Sequence, residues 1–301
     1  MKKRQQRSPP FDAPFIKFTE RVYTAMLTAL IIIICIYVAV PVVLVLNMEF
    51  LLRVRGRKAK STILEYPKDL EIEEEFIQVQ EGVKLQSWWI GSWVPTKNTI
   101  IFIHGNARNI TYFSDFFRKM HRNVRANLCA VSLRGYGKSG GKLSFKKVIP
   151  DLIKTVSHIK RHRHITPEDI IIHGRSQGAS IAAELVSGLN VKGLIIESGL
   201  ATLNDLIGGT LKKTKLFFPF AYLNMARLKS GRFNTFKNLK RITCPVLLIH
   251  GKQDRQVPVR CALRNHSANK NCRLLLIDGA GHQNCSDSPR YYEAINDTFG
   301  L

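Results

Sequence analysis

Closely spaced cysteine pairs are missing from this 301-residue chain, whose six cysteines are scattered along its length. The sequence therefore indicates neither a zinc ribbon nor a thioredoxin-type redox site, and it gives no disulfide framework. Acidic residues are also scarce, 22 against 46 Lys and Arg, and the formal charge is +24. The apolar fraction of 45% is ordinary for a packed globular protein, which excludes disorder, collagen and a disulfide-stapled miniprotein. A mean hydropathy of −0.07 excludes a multi-span membrane protein.

The positive charge belongs mostly to the chain beyond residue 50. The first 50 residues hold six basic and three acidic residues, so the remainder still carries +21. A domain this basic is attracted either to anionic lipid headgroups or to nucleic acid. No stretch alternates basic with aromatic residues in the manner of a nucleic-acid module. We therefore expect a lipid bilayer as the partner, and no nucleic acid.

One long run without charged side chains covers residues 22–46. As a helix it would be about 38 Å long, enough to cross a hydrocarbon core of roughly 30 Å. A cleaved signal peptide is the alternative, but the run is far longer than the apolar core of such a peptide. We predict a basic tail at 1–21, a transmembrane helix at 22–46 and a basic linker at 47–70.

The basic residues that flank this run give little direction for its orientation. Six lie on the N-terminal side and five on the C-terminal side. The positive-inside rule therefore favours only slightly an N-terminus in the cytoplasm, with the rest of the protein on the opposite side.

Residues 71–301 have the pattern of one α/β domain. Runs at 76–80 and 83–90 predict an antiparallel hairpin. Six continuous apolar runs predict strands buried on both faces of a parallel sheet, at 99–105, 126–133, 169–174, 191–198, 244–251 and 272–278. Helices are predicted at 111–122, 144–163, 177–188, 257–268 and 287–298. This alternation is typical of a doubly wound, mostly parallel sheet.

Residues 199–240 interrupt the alternation between two predicted strands. We predict a short helical insertion that packs on the sheet; the alternative is a basic, aromatic flap that covers the site and contacts the membrane. Four aromatic residues fit an acyl pocket and a core equally well: Phe217, Phe218, Phe220 and Trp93.

Residues 174–178 read Gly-Arg-Ser-Gln-Gly and directly follow a predicted strand. A strand, a sharp turn and a helix around Ser176 form the context of a nucleophile elbow, which pushes the hydroxyl out of the sheet. Gly174 and Gly178 have no side chains, whereas larger residues would collide where the strand and the helix cross. The helix N-terminus favours negative charge that develops on a substrate. Ser176 is therefore the candidate nucleophile.

A second region matches two motifs that we interpret as coincidental. Residues 137–141 repeat the GxSxG pattern around Ser139, but no apolar helix follows immediately. Residues 135–140 match the dinucleotide fingerprint GxGxxG without the helix and the acidic residue that a cofactor site needs. We interpret the region as a glycine-rich turn, and we expect no cofactor.

Histidines close three of the predicted strands, at His104, His173 and His250. They lie on different strands without the i, i+4 spacing of a helical zinc motif, so we expect no metal. Three more histidines crowd the basic end of a predicted helix and are interpreted as a solvated face: His158, His162 and His164.

A serine nucleophile needs a base and an acid that orients the base. Because ligands of open α/β sheets bind beyond the carboxyl ends of the strands, we look for both partners there. Asp254 and His282 each follow a predicted strand, and the order Ser176, Asp254, His282 is the one expected for an α/β-hydrolase. The alternatives are a helix N-cap for Asp254, a polar loop residue for His282, and Glu197 as the acid.

An oxyanion hole needs two backbone N–H groups beside the nucleophile. Gln177 follows Ser176 and is the first candidate. The second is Asn106, in the His-Gly-Asn-Ala loop at 104–107.

These motifs together resemble the serine α/β-hydrolases of the Bem46 and ABHD13/ABHD17-like group. The resemblance is carried by HGNA (104–107), RGYGKSGG (134–141), GRSQG (174–178), PVLLIHGKQD (245–254) and GAGH (279–282). It extends over about residues 72–300, and bacterial relatives are similar to this chain in having an N-terminal membrane segment. The resemblance implies a serine hydrolase without a metal, acting on ester or thioester bonds of acyl chains, with Ser176, Asp254 and His282 as the triad.

The sequence thus predicts a membrane-anchored serine hydrolase that cleaves acyl-ester, lipid or lipidated substrates through an acyl-enzyme. Two alternatives stay open. One is a serine peptidase of the prolyl-oligopeptidase-like type, and the other is a catalytically silent hydrolase fold that serves as a membrane-tethered binding module. The acyl length, the leaving group and the oligomeric state are left open by the sequence.

Overall fold

The computed structural model describes residues 13–46, 62–106, 108–202 and 234–301. Its strands are β1 (Glu73–Gln80), β2 (Val83–Ile90), β3 (Thr99–Ile103), β4 (Asn127–Val131), β5 (Ile170–Arg175), β6 (Gly193–Glu197), β7 (Val246–Gly251) and β8 (Cys272–Ile277). Its helices are α1 (Ala13–Leu46), α2 (Ser114–Asn123), α3 (Val148–Arg163), α4 (Gln177–Val186), α5 (Thr235–Leu239), α6 (Arg260–His266) and α7 (Pro289–Phe299). Short 3₁₀ helices lie at Ile110–Phe113, Pro167–Asp169 and Cys285–Asp287.

The eight strands form one sheet in the order β1-β2-β4-β3-β5-β6-β7-β8. The hairpin β1–β2 is antiparallel, and β2 pairs antiparallel with β4. All pairs from β4 through β3 to β8 are parallel. Each predicted strand is present, and the expected doubly wound, mostly parallel α/β fold is confirmed.

Both faces of the sheet are buried, because its central strands place alternate side chains in two separate cores. In β3, Ile101 and Ile103 belong to one core, and Ile100 and Phe102 belong to the other. The first core includes apolar residues of α3 and α4, and the second includes those of α2 and α7. The uninterrupted apolar runs of the sequence follow from this arrangement.

Two helices are shorter than predicted by four or more residues. Helix α3 begins at Val148 instead of 144, after a turn in which Ser144 accepts the N–H of Val148. Helix α6 covers Arg260–His266 instead of 257–268. Pro258 disfavours a helical backbone at the residue before it, so the helix starts only beyond this proline.

Helix α1 contains a stretch, Lys17–Tyr37, that is long and apolar enough to cross a membrane, with a mean hydropathy of 1.7. None of this stretch is buried inside the protein, unlike a core helix. The stretch begins five residues before the predicted start at 22.

Most of the predicted insertion at 199–240, including Phe217, Phe218 and Phe220, lies outside the described residues. Its described helical part is α5. Trp93 is 54% exposed, so it is not a core residue.

Candidate active site

Ser176 occupies the turn between β5 and α4, with a backbone φ of +58°. Glycines on both sides make this turn possible. A Cβ on Gly178 would lie 2.1 Å from the carbonyl oxygen of Ile103, and a Cβ on Gly174 would lie 2.3 Å from the carbonyl oxygen of Gly178. The strand and the helix therefore cross too closely for any larger residue, and the serine is held at a positive φ that few non-glycine residues adopt.

The structure brings together the three side chains that the sequence singles out. Nε2 of His282 lies 2.9 Å from Oγ of Ser176, and Nδ1 of His282 lies 2.7 Å from Oδ2 of Asp254. Because the carboxylate only accepts, Nδ1–H donates to it. In the neutral imidazole, Nε2 is then the acceptor for the hydroxyl of Ser176. This tautomer is the one that a general base requires.

Asp254 is fixed by the turn in which it lies. Its Oδ1 accepts backbone N–H bonds from Gln256 and Val257, both at 2.8 Å, and its Oδ2 faces His282. Burial by itself raises the pKa of Asp254, but the bonds from His282 and from the backbone outweigh it and hold the pKa below its usual value. The carboxylate is therefore ionised at neutral pH.

The end of β7 positions the loop that carries His282. A Cβ on Gly251 would lie 2.3 Å from the carbonyl oxygen of Ala280, so the strand end and the loop are in close contact. The N–H of Gln253 donates to the same carbonyl at 2.9 Å. Asp254 and His282 are thus held by neighbouring backbone segments.

The loop after β3 packs directly against the serine. A Cβ on Gly105 would lie 3.2 Å from the Cβ of Ser176. The next residue, Asn106, accepts a 2.8 Å hydrogen bond at Oδ1 from the hydroxyl of Tyr136. Gln177 is the first residue of α4. The two residues expected to form the oxyanion hole therefore flank Ser176 from the loop and from the helix.

The rival candidates have other partners. Ser139 Oγ accepts the N–H of Gln86 at 2.8 Å and donates to the carbonyl of Ser132 at 2.7 Å, so it ties the glycine-rich turn to the sheet. Glu197 does not contact His282; it forms an ion pair with Arg175.

The three strand-end histidines do not converge. His104 accepts from the N–H of Leu133 at 3.0 Å, and His250 bonds the carbonyl of Val257 at 2.8 Å. His173 bonds Glu197 at 3.1 Å.

A buried polar group behind the elbow is a feature that the sequence reasoning missed. Glu197, which is fully buried, accepts the hydroxyl of Tyr291 at 2.8 Å and lies 2.7 Å from Nη2 of Arg175. Burial raises the pKa of Glu197, but the charge of Arg175 and the bond from His173 outweigh it and bring the pKa to about 2. The position of Glu197 at a strand end is the one signal in the sequence that points to this group.

Among the described residues, one trio of potential metal ligands lies at the β1 edge of the sheet, four strands away from β5. It consists of Glu75, His158 and His162. His158 and Glu75 already pair with each other, and His158 stacks on His162 at 3.9 Å between ring centroids. The positively charged Arg163 follows His162 directly and would repel a metal cation. We therefore interpret the trio as an ion-paired surface.

The chain is similar in sequence to known hydrolases. A family model described as "Serine aminopeptidase, S33" matches residues 94–221, which include Ser176. The chain is 29% identical to α/β-hydrolase domain-containing protein WAV2 of Arabidopsis thaliana over 197 residues, which are 63% of this chain and 64% of that protein. The match thus spans slightly less than two thirds of that relative. Identity to α/β-hydrolase domain-containing protein 17B of Xenopus laevis is 25% over 219 residues, 72% of each chain.

Solved structures share the fold. A Pyrococcus furiosus esterase superimposes with a TM-score of 0.63 at 22% identity, covering 80% of this chain and 95% of the esterase. An α/β-hydrolase from Vibrio vulnificus gives the same TM-score and identity, covering 80% of this chain and 87% of that one. An acylaminoacyl peptidase from Pyrococcus horikoshii has a TM-score of 0.60 at 16% identity, covering 78% of this chain and 42% of the peptidase.

Proposed function

We propose that the chain, which has the α/β-hydrolase fold and is similar in sequence to hydrolases, is a serine hydrolase that cleaves ester or thioester bonds of acyl groups. The observation that carries the proposal is the continuous hydrogen-bonded chain from Asp254 through His282 to Ser176, with the serine at the strained turn. An ordinary surface serine needs neither this turn nor an oriented imidazole.

In the proposed acylation step, Nε2 of His282 takes the hydroxyl proton while Oγ of Ser176 attacks the acyl carbonyl. The carbonyl oxygen becomes an oxyanion, which the backbone N–H groups of Gln177 and Asn106 stabilise. When the tetrahedral intermediate collapses, the bond to the leaving oxygen or sulfur breaks and His282 protonates that atom. The acyl group stays on Ser176.

Deacylation reverses the roles. His282 takes a proton from water, the hydroxide attacks the acyl carbonyl, and the serine regains its proton as the acid departs. Asp254 holds the imidazole in its tautomer and stabilises the imidazolium that forms in both steps. The lowered pKa of Asp254 suits this role, because the carboxylate stays charged throughout.

For the location, we propose a single-pass membrane protein anchored by α1, with the N-terminus in the cytoplasm and the hydrolase domain on the opposite side. The apolar stretch Lys17–Tyr37 and the charge of +21 beyond residue 50 support a domain that lies close to anionic headgroups. Lipids and lipidated molecules are the acyl donors found there, and we propose them as the substrate class.

A fluorophosphonate probe tests the nucleophile. The full chain in detergent micelles should be labelled, and Ser176→Ala should not. Ser139→Ala is the matched control, because Ser139 lies in the other GxSxG segment but bonds the sheet; it should be labelled like the wild type. Loss of labelling in the Ser139 variant with retention in the Ser176 variant would refute the assignment. Absent labelling of the folded wild type would favour the membrane-tethered binding module.

A substrate panel separates esterase from peptidase. A serine peptidase is the second candidate because the matching family model is described as a serine aminopeptidase. Turnover of p-nitrophenyl esters of graded chain length and of acyl thioesters, with peptide amides left intact, is the expected result. Preference for the amides would overturn the ester proposal.

The anchoring proposal has its own test. The full chain, expressed in a bacterial host, should resist extraction from membranes by alkaline carbonate. Protease added to intact spheroplasts should digest the hydrolase domain, with no need for lysis. Digestion only after lysis would reverse the proposed orientation.

A further inference from the structure

Arg175 is the last residue of β5 and the neighbour of Ser176. Its side chain is only 8% exposed, and its charge is paired with the buried carboxylate of Glu197. Nη2 lies 2.7 Å from Oε1 of Glu197 and 2.7 Å from the carbonyl oxygen of Gln283. Gln283 directly follows His282, so the guanidinium reaches from the nucleophile's strand to the loop of the base.

Glu197 serves as the fixed point of this contact. Its backbone carbonyl accepts the N–H of Ser176 at 2.8 Å, and its Oε2 accepts the hydroxyl of Tyr291 at 2.8 Å and bonds His173 at 3.1 Å. A carboxylate bound on several sides cannot follow the guanidinium if that group moves. Glu197 therefore fixes the position of the Arg175 guanidinium.

Aromatic rings complete the surroundings of the guanidinium. Its central carbon lies 5.7 Å from the ring centre of Phe113 and 5.4 Å from that of Phe116, within the range of cation–π contacts. Two aromatic rings thus lie close to the guanidinium, while its Nη2 donates to the carbonyl of Gln283. A flexible ammonium would not be oriented in the same way.

Stability alone does not account for this buried pair. Buried ion pairs often contribute little net stability, because desolvation offsets the attraction. Nε of Arg175 has no hydrogen-bond partner among the described residues, so the pair is not arranged to satisfy every donor. One donor is instead directed to the carbonyl next to His282.

The loop of His282 needs such support. Before the histidine, the loop is tied to the end of β7 by the bond from Gln253 to Ala280, and Gly281 donates to Oδ1 of Asn284 at 2.7 Å. After the histidine, the bond from Arg175 to the carbonyl of Gln283 connects the loop to β5, the strand that precedes Ser176. A loop held on both sides keeps Nε2 at hydrogen-bond distance from the serine.

We propose that Arg175 is a positioning residue whose guanidinium, balanced by Glu197, holds the Gln283 carbonyl and so fixes His282 against Ser176. The proposal rests on the proposed function. Displacement of a base by about 1 Å lowers rates by up to about 100-fold, so the effect of losing the tie is measurable.

The test measures fluorophosphonate labelling of the full chain in micelles. In the labelling step, the serine oxygen bonds to phosphorus, fluoride leaves and His282 takes the hydroxyl proton. The limiting labelling rate therefore reports on the base, and the half-saturating concentration of the probe reports on its binding. The double variant Arg175→Met/Glu197→Gln removes the pair without leaving a lone buried charge. Glu197→Gln alone keeps Arg175 but removes the charge that fixes its guanidinium.

The double variant should label about 10- to 100-fold more slowly at saturation, with a half-saturating concentration within about twofold of the wild type. Glu197→Gln should also label more slowly, but by less than the double variant, because the guanidinium stays and only the charge that fixes it is lost. Ile170→Val, at the other end of β5, weakens the core without touching the loop and should label at the wild-type rate. Circular dichroism and thermal unfolding establish that each variant is folded.

A wild-type rate in the folded double variant would overturn the proposal, as would an equal loss in Ile170→Val. If the double variant does not fold, Arg175→Lys replaces it in the test, because lysine keeps the charge but not the planar fork. Slower labelling of Arg175→Lys supports the role of the bond to Gln283, and an unchanged rate refutes it. Failure of the proposed function has a different signature, because the folded wild type would then not be labelled at all.

Discussion

Replacing Asp254 with Asn tests the orientation of the imidazole without removing atoms from the turn. Oδ1 of Asp254 accepts two backbone N–H bonds at 2.8 Å, so the amide of Asp254→Asn must keep its oxygen there. Its NH₂ group then takes the place of Oδ2, 2.7 Å from Nδ1 of His282. Two donors cannot face each other, and Nδ1 is forced to accept.

This change reverses the tautomer. With Nδ1 as acceptor, Nε2 of His282 carries the proton and cannot take one from Ser176. The lost negative charge also removes the stabilisation of the imidazolium. Together these effects should lower kcat by about 10³- to 10⁴-fold, equivalent to about 4–5.5 kcal/mol of barrier.

The assay is hydrolysis of a short p-nitrophenyl ester by the full chain in micelles, with the fluorophosphonate labelling rate as a second readout. Asp278→Asn is the matched control, because Asp278 lies near the loop of His282 but is exposed and pairs only with Lys252 in the described structure. It should retain wild-type activity. Activity of Asp254→Asn within tenfold of the wild type would refute the proposed role of Asp254.

Further predictions concern the fold and the surroundings of the site. Gly178→Ala should lower the free energy of unfolding by about 1–3 kcal/mol, because its Cβ would lie 2.1 Å from a backbone oxygen. In the control Gly188→Ala, the nearest atom to the new Cβ is 3.9 Å away, so the free energy of unfolding should change little; urea unfolding measures both variants. Glu197 has a pKa of about 2 when folded and 4.5 as its ordinary value, so its stabilising contribution is complete above 4.5 and is lost as the pH falls towards 2. Between pH 5 and pH 3 it should decrease by about 2 kcal/mol, and Glu197→Gln should show a correspondingly smaller loss in urea unfolding at the two pH values. Tyr136→Phe removes the bond to Asn106 and should lower kcat about 3- to 10-fold with an unchanged melting temperature, since the ring stays in place; equal kcat would show that this bond does not position the loop.

The sheet and the three central side chains of the site could be predicted for a physical reason. Strands buried on both faces have no polar side, so each appears as a continuous apolar run with clear ends. The position of a residue just beyond such a run then places it at the carboxyl edge of the sheet. Asp254 and His282 were found in this way, although they are far from Ser176 in the chain.

The buried polar group could not be predicted in the same way. Arg175 and Glu197 have the residue types of a solvated surface, and their pairing depends on where β5 and β6 end relative to each other. The bond to Gln283 further requires the path of a loop more than 100 positions away. The shortened α6 has a local cause instead, since Pro258 restricts the backbone before it.

The large separation between the serine and the histidine, 106 positions, has a consequence for biosynthesis. A ribosome releases α1 before Ser176, and the histidine loop after it. In the topology proposed above, the nascent chain is therefore held at the bilayer while Ser176 still lacks its proposed proton acceptor. Only after β8 has paired with β7 does the imidazole reach the hydroxyl, so in the proposed topology a product truncated before His282 would be tethered to the membrane without its base.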